Sequence, residues 1–203
     1  GNGPIDKIID LSNNNDEVFF TVGVHPNEVL KDSNNSNYDL IHNISKKNKC
    51  VGIGECGLDY HYGKESINKQ KNSFITQINV ARDIGLPLII HSRDADEDMI
   101  KILTSEYKKG SFKAILHCFS SGKKLALCGV ELGFYISFSG IVTFNSAKLI
   151  QEVAMLVPKD KILVETDAPY LSPTPLRGTI NEPKNCQITV SYTHLTLPTT
   201  DRG

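Results

Sequence analysis

The feature that most constrains this chain is a theme that occurs six times: a short apolar run, a polar turn, and a helical pattern after most runs. The runs are apolar on both faces, as expected of strands covered by helices on both sides. They are Val18–Val24, Cys50–Gly54, Leu86–Ile90, Ala114–Cys118, Phe134–Phe138 and Ile162–Glu165. Helices are predicted at Asn68–Ile84, Asp94–Tyr107, Gly122–Glu131 and Ser146–Leu156. This alternation predicts an α/β fold with a parallel sheet.

Doubly wound sheets and (β/α)8 TIM-type barrels share this alternation, and the placement of polar residues distinguishes them. An ionisable residue stands at the carboxyl end of nearly every run: His25, Glu55, His91, His117 and Asp167. A barrel brings all its strand ends to one rim, whereas a doubly wound sheet collects ligands mainly where the strand order reverses. We therefore predict a (β/α)8 barrel with about six of its eight strands present.

Four of these residues, Glu55, His91, His117 and Asp167, carry side chains that bind divalent metal ions. Neutral imidazole and carboxylate can share one ion, and a carboxylate can also bridge two. Taken singly, each residue could instead be a hydrogen-bonded structural group or a turn residue. Each of the four stands at the carboxyl end of its own strand. We therefore predict that they gather around a common point as metal ligands.

Polar residues beside these four are candidates for contacts to a phosphate. Arg93 lies two residues after His91, and Arg177 and Asn181 follow the last run. A guanidinium group makes paired hydrogen bonds with phosphate oxygens, although either arginine could instead be a solvated loop charge. His25 could donate a hydrogen bond to a phosphate or cap its own loop.

Composition limits the classes of function. A formal net charge of -1 offers no broad positive surface for nucleic acid, so any DNA has to be held at a local site. No stretch approaches the ~18 apolar residues needed to span a membrane, and no signal-peptide pattern opens the chain. The five cysteines are not tightly spaced and are predicted to be free thiols of a cytoplasmic protein.

The chain resembles the TatD family of metal-dependent hydrolases in six segments that occur in the family's order. They are Gly23-Val-His-Pro26, Gly54-Glu-Cys-Gly-Leu-Asp-Tyr60, His91-Ser-Arg-Asp-Ala95, His117-Cys-Phe-Ser120, Glu165-Thr-Asp-Ala-Pro-Tyr170, and Arg177-Gly178 with Asn181-Glu-Pro183. The resemblance implies a TIM barrel with two divalent metal ions (Mg, Mn or Zn) in the intact protein. Glu55 would bridge both ions, and His91 and His117 would bind the second. Asp167 would bind the first and help to orient or deprotonate the attacking water.

The ends of the chain depart from the family pattern. Members of the family begin with a strand that ends in a His-x-His pair, which does not occur here. We therefore expect two βα units, of about 30 residues each, to be missing, and residues 1–189 to be a partial barrel domain. Residues 190–203 resemble a translated sequencing adapter. They are predicted to be a non-native tail that replaces the helix expected after Pro183.

The resemblance to this family implies a deoxyribonuclease that hydrolyses phosphodiester bonds at the 3′ ends of DNA by metal-activated water. Glu55 and Asp167 are its predicted catalytic residues, and DNA is the expected partner, without a membrane or an obligate protein partner. The fragment by itself is expected to be inactive. Two alternatives stay open: a metal hydrolase of a small ester, amide or lactone, and a non-catalytic barrel that binds a ligand without metals.

Overall fold

The computed structural model describes residues 4–31 and 38–196, and these form two compact units that adjoin in sequence between Ile115 and Leu116. Both units contain parallel strands that alternate with helices along the chain. Strand β4 (Ala114–Leu116) crosses the boundary between the units.

The first unit packs helices against three parallel strands. Its other elements are α1 (Pro4–Asn13), β1 (Phe20–Val22), α2 (Tyr38–Ser45), β2 (Cys50–Asp59), α3 (Ile67–Ile84), β3 (Leu88–Arg93) and α4 (Asp96–Lys109), with single 3-10 turns at Pro26–Glu28 and Lys64–Ser66. Strand β2 pairs in parallel with β1 on one side and with β3 on the other. Phe74 and Ile78 of α3 are fully buried, as are Leu58 and Ile90 of the strands, so this helix covers the sheet and closes the core.

The second unit repeats the strand–helix alternation on a smaller scale. Its elements are α5 (Lys123–Glu131), β5 (Tyr135–Phe138), α6 (Lys148–Leu156), β6 (Ile162–Val164) and α7 (Cys186–Thr196), with 3-10 turns at Gly140–Thr143, Lys159–Lys161 and Pro183–Asn185. Strands β5 and β6 are parallel, with Ser137 opposite Leu163. Ile136, Phe138 and Val153 are completely buried and form the centre of this unit.

The four predicted helices are present, as α3, α4, α5 and α6, with ends that shift by one or two residues. Two strand ends were predicted wrongly. We expected Glu55 to follow the second strand and His91 to follow the third, but β2 continues to Asp59 and β3 to Arg93. The pairing with β3 shifts between Gly54 and Cys56, so Glu55 is the extra residue of a bulge. A bulge aims its unpaired residue away from the regular ladder, which explains how a carboxylate projects from within a buried strand.

The C-terminal helix was also predicted wrongly. We expected the helix after Pro183 to be lost, yet α7 runs from Cys186 to Thr196 and crosses the predicted domain boundary at residue 189. Thr189 is buried with 1% of its surface exposed, so this helix packs on its unit before the boundary is reached. The origin of residues 190–203 stays a prediction, and residues 197–203 lie outside the described residues.

No helix within residues 4–31 and 38–196 is both long and apolar enough to cross a membrane.

Glycine is required where β2 passes β3. A Cβ at Gly57 would collide with the carbonyl oxygen of His91, and the φ angle of Gly57 is +135°. Gly85, with a φ angle of +74°, ends α3 in open space. We expect Gly57→Ala to lower the free energy of unfolding by about 3–4 kcal/mol, because backbone strain and overpacking add. Gly85→Ala is the matched control and should cost only about 1 kcal/mol. Urea denaturation measures both values, and equal losses would contradict the proposed collision.

Candidate functional site

The first unit holds a cluster of three metal-type side chains, His25, Glu55 and His91, which we call the first cluster. The Glu55 Oε2 atom lies 3.7 Å from His25 Nε2 and 4.0 Å from His91 Nδ1. The two imidazole rings meet edge to face with centroids 4.7 Å apart. His25 follows β1, Glu55 sits on the bulge of β2, and His91 lies within β3, so three neighbouring strands each supply one side chain.

A buried carboxylate, Asp59 at the end of β2, orients His91. Its side chain is 1% exposed, and its Oδ2 atom lies 3.1 Å from His91 Nε2. The same oxygen accepts a hydrogen bond from the Asn27 amide at 3.1 Å. The Oδ1 atom accepts from the backbone N–H groups of His61 and Tyr62, both at 3.0 Å. Burial by itself raises the pKa of Asp59, but the hydrogen bonds from Tyr62, Asn27 and His91 outweigh it and hold the pKa below its ordinary value.

Two buried glutamines of α3 fix the loops that carry these groups. Gln77 accepts a hydrogen bond from the Val24 N–H at 2.8 Å and donates to the Val24 carbonyl at 3.1 Å, directly before His25. Gln70 makes the same pair of bonds with the backbone of Asp59, at 2.8 and 2.9 Å. Each glutamine amide bonds the N–H and the carbonyl of one backbone residue, as a neighbouring strand would. It thereby satisfies backbone groups that would otherwise be buried without partners.

Hydrogen-bond partners distinguish the two histidines of the first cluster. Asp59 is an acceptor, so it fixes a proton on His91 Nε2 and directs the lone pair of Nδ1 toward Glu55. The backbone N–H of Asn27 donates to His25 Nδ1 at 3.2 Å, which places the proton of a neutral His25 on Nε2. Burial, followed by the nearby His91, lowers the pKa of His25 and favours this neutral form. His91 is therefore suited to ligate a metal, and His25 to donate a hydrogen bond.

The second unit holds an equivalent cluster of His117, Glu165 and Asp167, which we call the second cluster. His117 Nδ1 lies 2.9 Å from Glu165 Oε1, and the Ser137 hydroxyl donates to Glu165 Oε2 at 2.7 Å. His117 Nε2 lies 3.4 Å from Asp167 Oδ1. Asp167 adopts a φ angle of +59°, a left-handed backbone conformation that is typical of functional sites. Glu165 thus orients His117, while Asp167 faces the opposite ring nitrogen.

The donor set of each cluster fits a divalent cation. In both, one imidazole nitrogen is held by an orienting carboxylate and the other faces a second carboxylate, the arrangement that aligns histidine ligands in metal sites. This selects Glu55 and His91 in the first unit, and His117 and Asp167 in the second, as the residues that could hold metal. Imidazole with carboxylate suits Zn²⁺ and Mn²⁺, and Mg²⁺ less well.

The structure brings the predicted ligands together in pairs, one pair within each unit. Glu55 lies beside His91, and His117 beside Asp167. The convergence of all four on a common point stays a prediction. Asp59 and Glu165 were missed as positioning residues, although both stand in the segments quoted above. Their signal was a carboxylate near a strand end together with a histidine at the end of the neighbouring strand.

The residues that were predicted to contact phosphate lie in different surroundings. The guanidinium of Arg93 lies over the ring of Tyr62, 4.8 Å from its centroid, and that of exposed Arg177 lies 3.9 Å from the centroid of Phe144. Asn181 is buried, with 3% of its surface exposed. Its amide donates to the carbonyls of Thr166 and Tyr170 and accepts from Glu182 N–H. These bonds hold its loop together, and the substrate contact of Asn181 stays a prediction.

Comparisons with known proteins place these observations in a family context. The family model described as TatD related DNase matches residues 3–196. YcfH of Escherichia coli K12, described as an uncharacterized metal-dependent hydrolase, is 41% identical over 185 residues, which cover 90% of this chain and 68% of that protein. YabD of Bacillus subtilis 168, described in the same words, is 39% identical over 179 residues, covering 88% of this chain and 69% of that protein.

Solved structures show the same fold. The structure of YJJV, a TatD homolog from E. coli K12, aligns with a TM-score of 0.85 at 23% identity, covering 95% of this chain and 74% of that chain. A hydrolase of the TatD family from Entamoeba histolytica aligns with a TM-score of 0.75 at 24% identity, covering 94% and 74%. These likenesses confirm the predicted barrel-type α/β fold class.

The orienting role of Asp59 is testable without an activity assay. We expect Asp59→Asn to weaken Mn²⁺ binding roughly ten- to a hundredfold, because the new amide would donate toward His91 Nε2 and reverse the tautomer. Asp83→Asn is the matched control, since the Asp83 carboxylate accepts a hydrogen bond from the Tyr38 hydroxyl on the surface. Isothermal titration with Mn²⁺ measures both affinities. An unchanged affinity in a folded Asp59→Asn variant would remove Asp59 from the site.

Proposed function

Because the chain belongs to the TatD related DNase family of metal-dependent hydrolases, we propose that the full-length protein hydrolyses phosphodiester bonds at the ends of DNA strands. The observation that carries this proposal is the histidine held between two carboxylates in each unit. Histidines oriented in this way are typical of sites that bind a catalytic divalent ion. Beside the first of them, Arg93 and His25 add hydrogen-bond donors of the kind that binds phosphate.

Glu55 and His91 in the first unit, and His117 and Asp167 in the second, are the residues that would hold the divalent ions. Such ions, when bound, lower the pKa of a coordinated water and offset negative charge on the phosphate oxygens. Asp59 and Glu165 contribute indirectly, because they keep the ligating nitrogens of His91 and His117 unprotonated and correctly aimed.

The remaining polar groups have roles of their own. Asp167, partly exposed next to His117, is placed to accept a proton from an attacking water. The Nε2–H group of His25 points toward Glu55, another member of the first cluster, and can donate to a phosphate oxygen. Arg93 can hold a second oxygen through its guanidinium while it remains stacked on Tyr62.

Charge supports DNA ends rather than long duplex as the substrate. A net charge of -1 leaves little attraction for an extended phosphate backbone. A nuclease that reads one terminal nucleotide needs only a local group of donors. We also propose a cytoplasmic location, because the five cysteines are free thiols, a state typical of reducing compartments. DNA is the partner that this proposal requires, without an obligate protein partner.

The first test removes the charge of Glu55. In the full-length protein we expect Glu55→Gln to reduce the metal-dependent hydrolysis of single-stranded DNA at least ~1,000-fold, because a neutral amide loses most of the attraction of a carboxylate for a divalent ion. Glu152→Gln, which changes a surface carboxylate paired with Lys123 at 2.8 Å, is the matched control. Rates are measured with end-labelled DNA and excess Mn²⁺, and EDTA should abolish them. Retention of turnover by Glu55→Gln would refute the assigned role.

The second test concerns the substrate. We expect the full-length protein to shorten linear single-stranded DNA and to leave circular single-stranded DNA intact, since only the linear form has ends. A panel of small esters, amides and lactones should be hydrolysed far more slowly. The reverse preference would favour the small-molecule alternative, and the absence of divalent-ion binding in titrations would favour a non-catalytic barrel. The same assay on residues 1–203 tests the expectation that these residues by themselves are inactive.

A further inference from the structure

The turn after β2 presents an aromatic ring to solvent beside the first cluster. Tyr62 is 66% exposed, so its ring contributes little to the core. The His61 imidazole meets it edge to face, with ring centroids 4.6 Å apart, and His61 Nδ1 lies 3.0 Å from Asp94 Oδ2. A large exposed aromatic side chain that is not needed for packing is a candidate contact for a ligand.

This ring is held in a fixed place relative to the metal-type residues. The backbone N–H of Tyr62 donates to Asp59 Oδ1 at 3.0 Å, and the other oxygen of the same carboxylate lies 3.1 Å from His91 Nε2. One buried side chain therefore connects the turn to a predicted metal ligand. Gln70 also fixes the Asp59 backbone at both its N–H and its carbonyl, which leaves the start of the turn little freedom.

Arg93 covers one face of the ring and connects it to the phosphate contacts. Its guanidinium lies 4.8 Å from the Tyr62 ring centroid. Arg93 pairs with Asp59 across β2 and β3, and it lies two residues after His91 on the same strand. Residues two apart on a strand share a face, so Arg93 and His91 project to the same side of the sheet. The cation, the ring and the first cluster thus lie next to one another within the first unit.

We propose that Tyr62 is a nucleobase-binding subsite, on which the terminal base of a DNA strand stacks while Arg93 binds a neighbouring phosphate. This inference rests on the proposed nuclease function, because it concerns recognition of the same substrate. Base stacking on an exposed aromatic ring tolerates every base and suits an enzyme that removes nucleotides irrespective of sequence. Because 66% of Tyr62 is exposed, ring surface remains for a base beside the guanidinium, whose positive charge favours the adjacent phosphate.

The test compares DNA strands that differ only in the terminal base. Two single-stranded oligonucleotides carry the same 5′ fluorophore, and the 3′-terminal residue of one lacks its base. Fluorescence anisotropy gives the Kd of each with Mn²⁺-loaded protein, and non-hydrolysable terminal linkages prevent turnover. We expect the wild-type protein to bind the base-bearing strand about tenfold more tightly, which corresponds to about 1.4 kcal/mol, at the low end of measured stacking contributions.

Variants of Tyr62 test whether its ring causes this ratio between the two affinities. Tyr62→Phe should keep the tenfold ratio, whereas Tyr62→Ala and the bulkier Tyr62→Leu should reduce it to about one. Tyr135→Ala is the matched control, since Tyr135 is an exposed tyrosine beneath Lys161 in the second unit, and it should retain the ratio. Because Tyr62→Leu keeps more of the side-chain volume than Tyr62→Ala but has no aromatic ring, a loss of the ratio in both variants distinguishes stacking from a local packing defect.

The outcomes distinguish a failure of this inference from a failure of the proposed function. Hydrolysis of DNA together with a wild-type ratio near one, or a ratio that survives in Tyr62→Leu, overturns the stacking subsite and leaves the nuclease proposal standing. A ratio that depends on Tyr62 without any hydrolysis of cleavable DNA by the full-length protein supports the subsite and overturns the nuclease proposal. If the strands are neither bound nor cleaved, both are overturned.

Discussion

The buried carboxylate of Asp59 is the constraint on which the first unit's site depends. A charged group that is 1% exposed is tolerated only when its oxygens are fully hydrogen-bonded. Asp59 meets this requirement with Asn27, His91 and two backbone N–H groups of the following turn. Since these partners come from three separate segments, satisfying one carboxylate fixes the loop after β1, the ligand on β3 and the turn after β2 together.

The second unit orients its histidine with different residues. Glu165, directly after β6, holds one nitrogen of His117 and accepts a hydrogen bond from Ser137 of β5. In the first unit the orienting carboxylate holds Nε2 of its histidine, and in the second it holds Nδ1. The opposite ring nitrogen faces Glu55 in one unit and Asp167 in the other. The two units therefore share a histidine with a proton fixed on one ring nitrogen by a carboxylate. The sequence motifs around the two histidines need not be alike.

Much of the fold was predictable because the strands are apolar on both faces and the helices keep their period. Residues whose roles depend on a partner from another segment were not. Glu55 was assigned to a strand end because it is the ionisable residue directly after the apolar run Cys50–Gly54, whereas β2 continues past it through a bulge. Asn181 was named as a substrate contact because it follows the last strand, whereas its hydrogen bonds to the carbonyls of Thr166 and Tyr170 are visible only in three dimensions. Asp59 was missed because the predicted second strand stopped at Gly54, so Asp59 was not placed beside His91 of the third strand.

Helix α3 shows how a scaffold element can set the precision of a site that it does not enter. Gln70 and Gln77 are seven residues apart, so they lie on the same face of the helix about 10 Å from each other along its axis. Each binds both the N–H and the carbonyl of one backbone residue, Asp59 or Val24. A two-point contact fixes orientation as well as distance, which a single hydrogen bond does not. The rise of one rigid helix thus sets the spacing between the loop that carries His25 and the residue that orients His91.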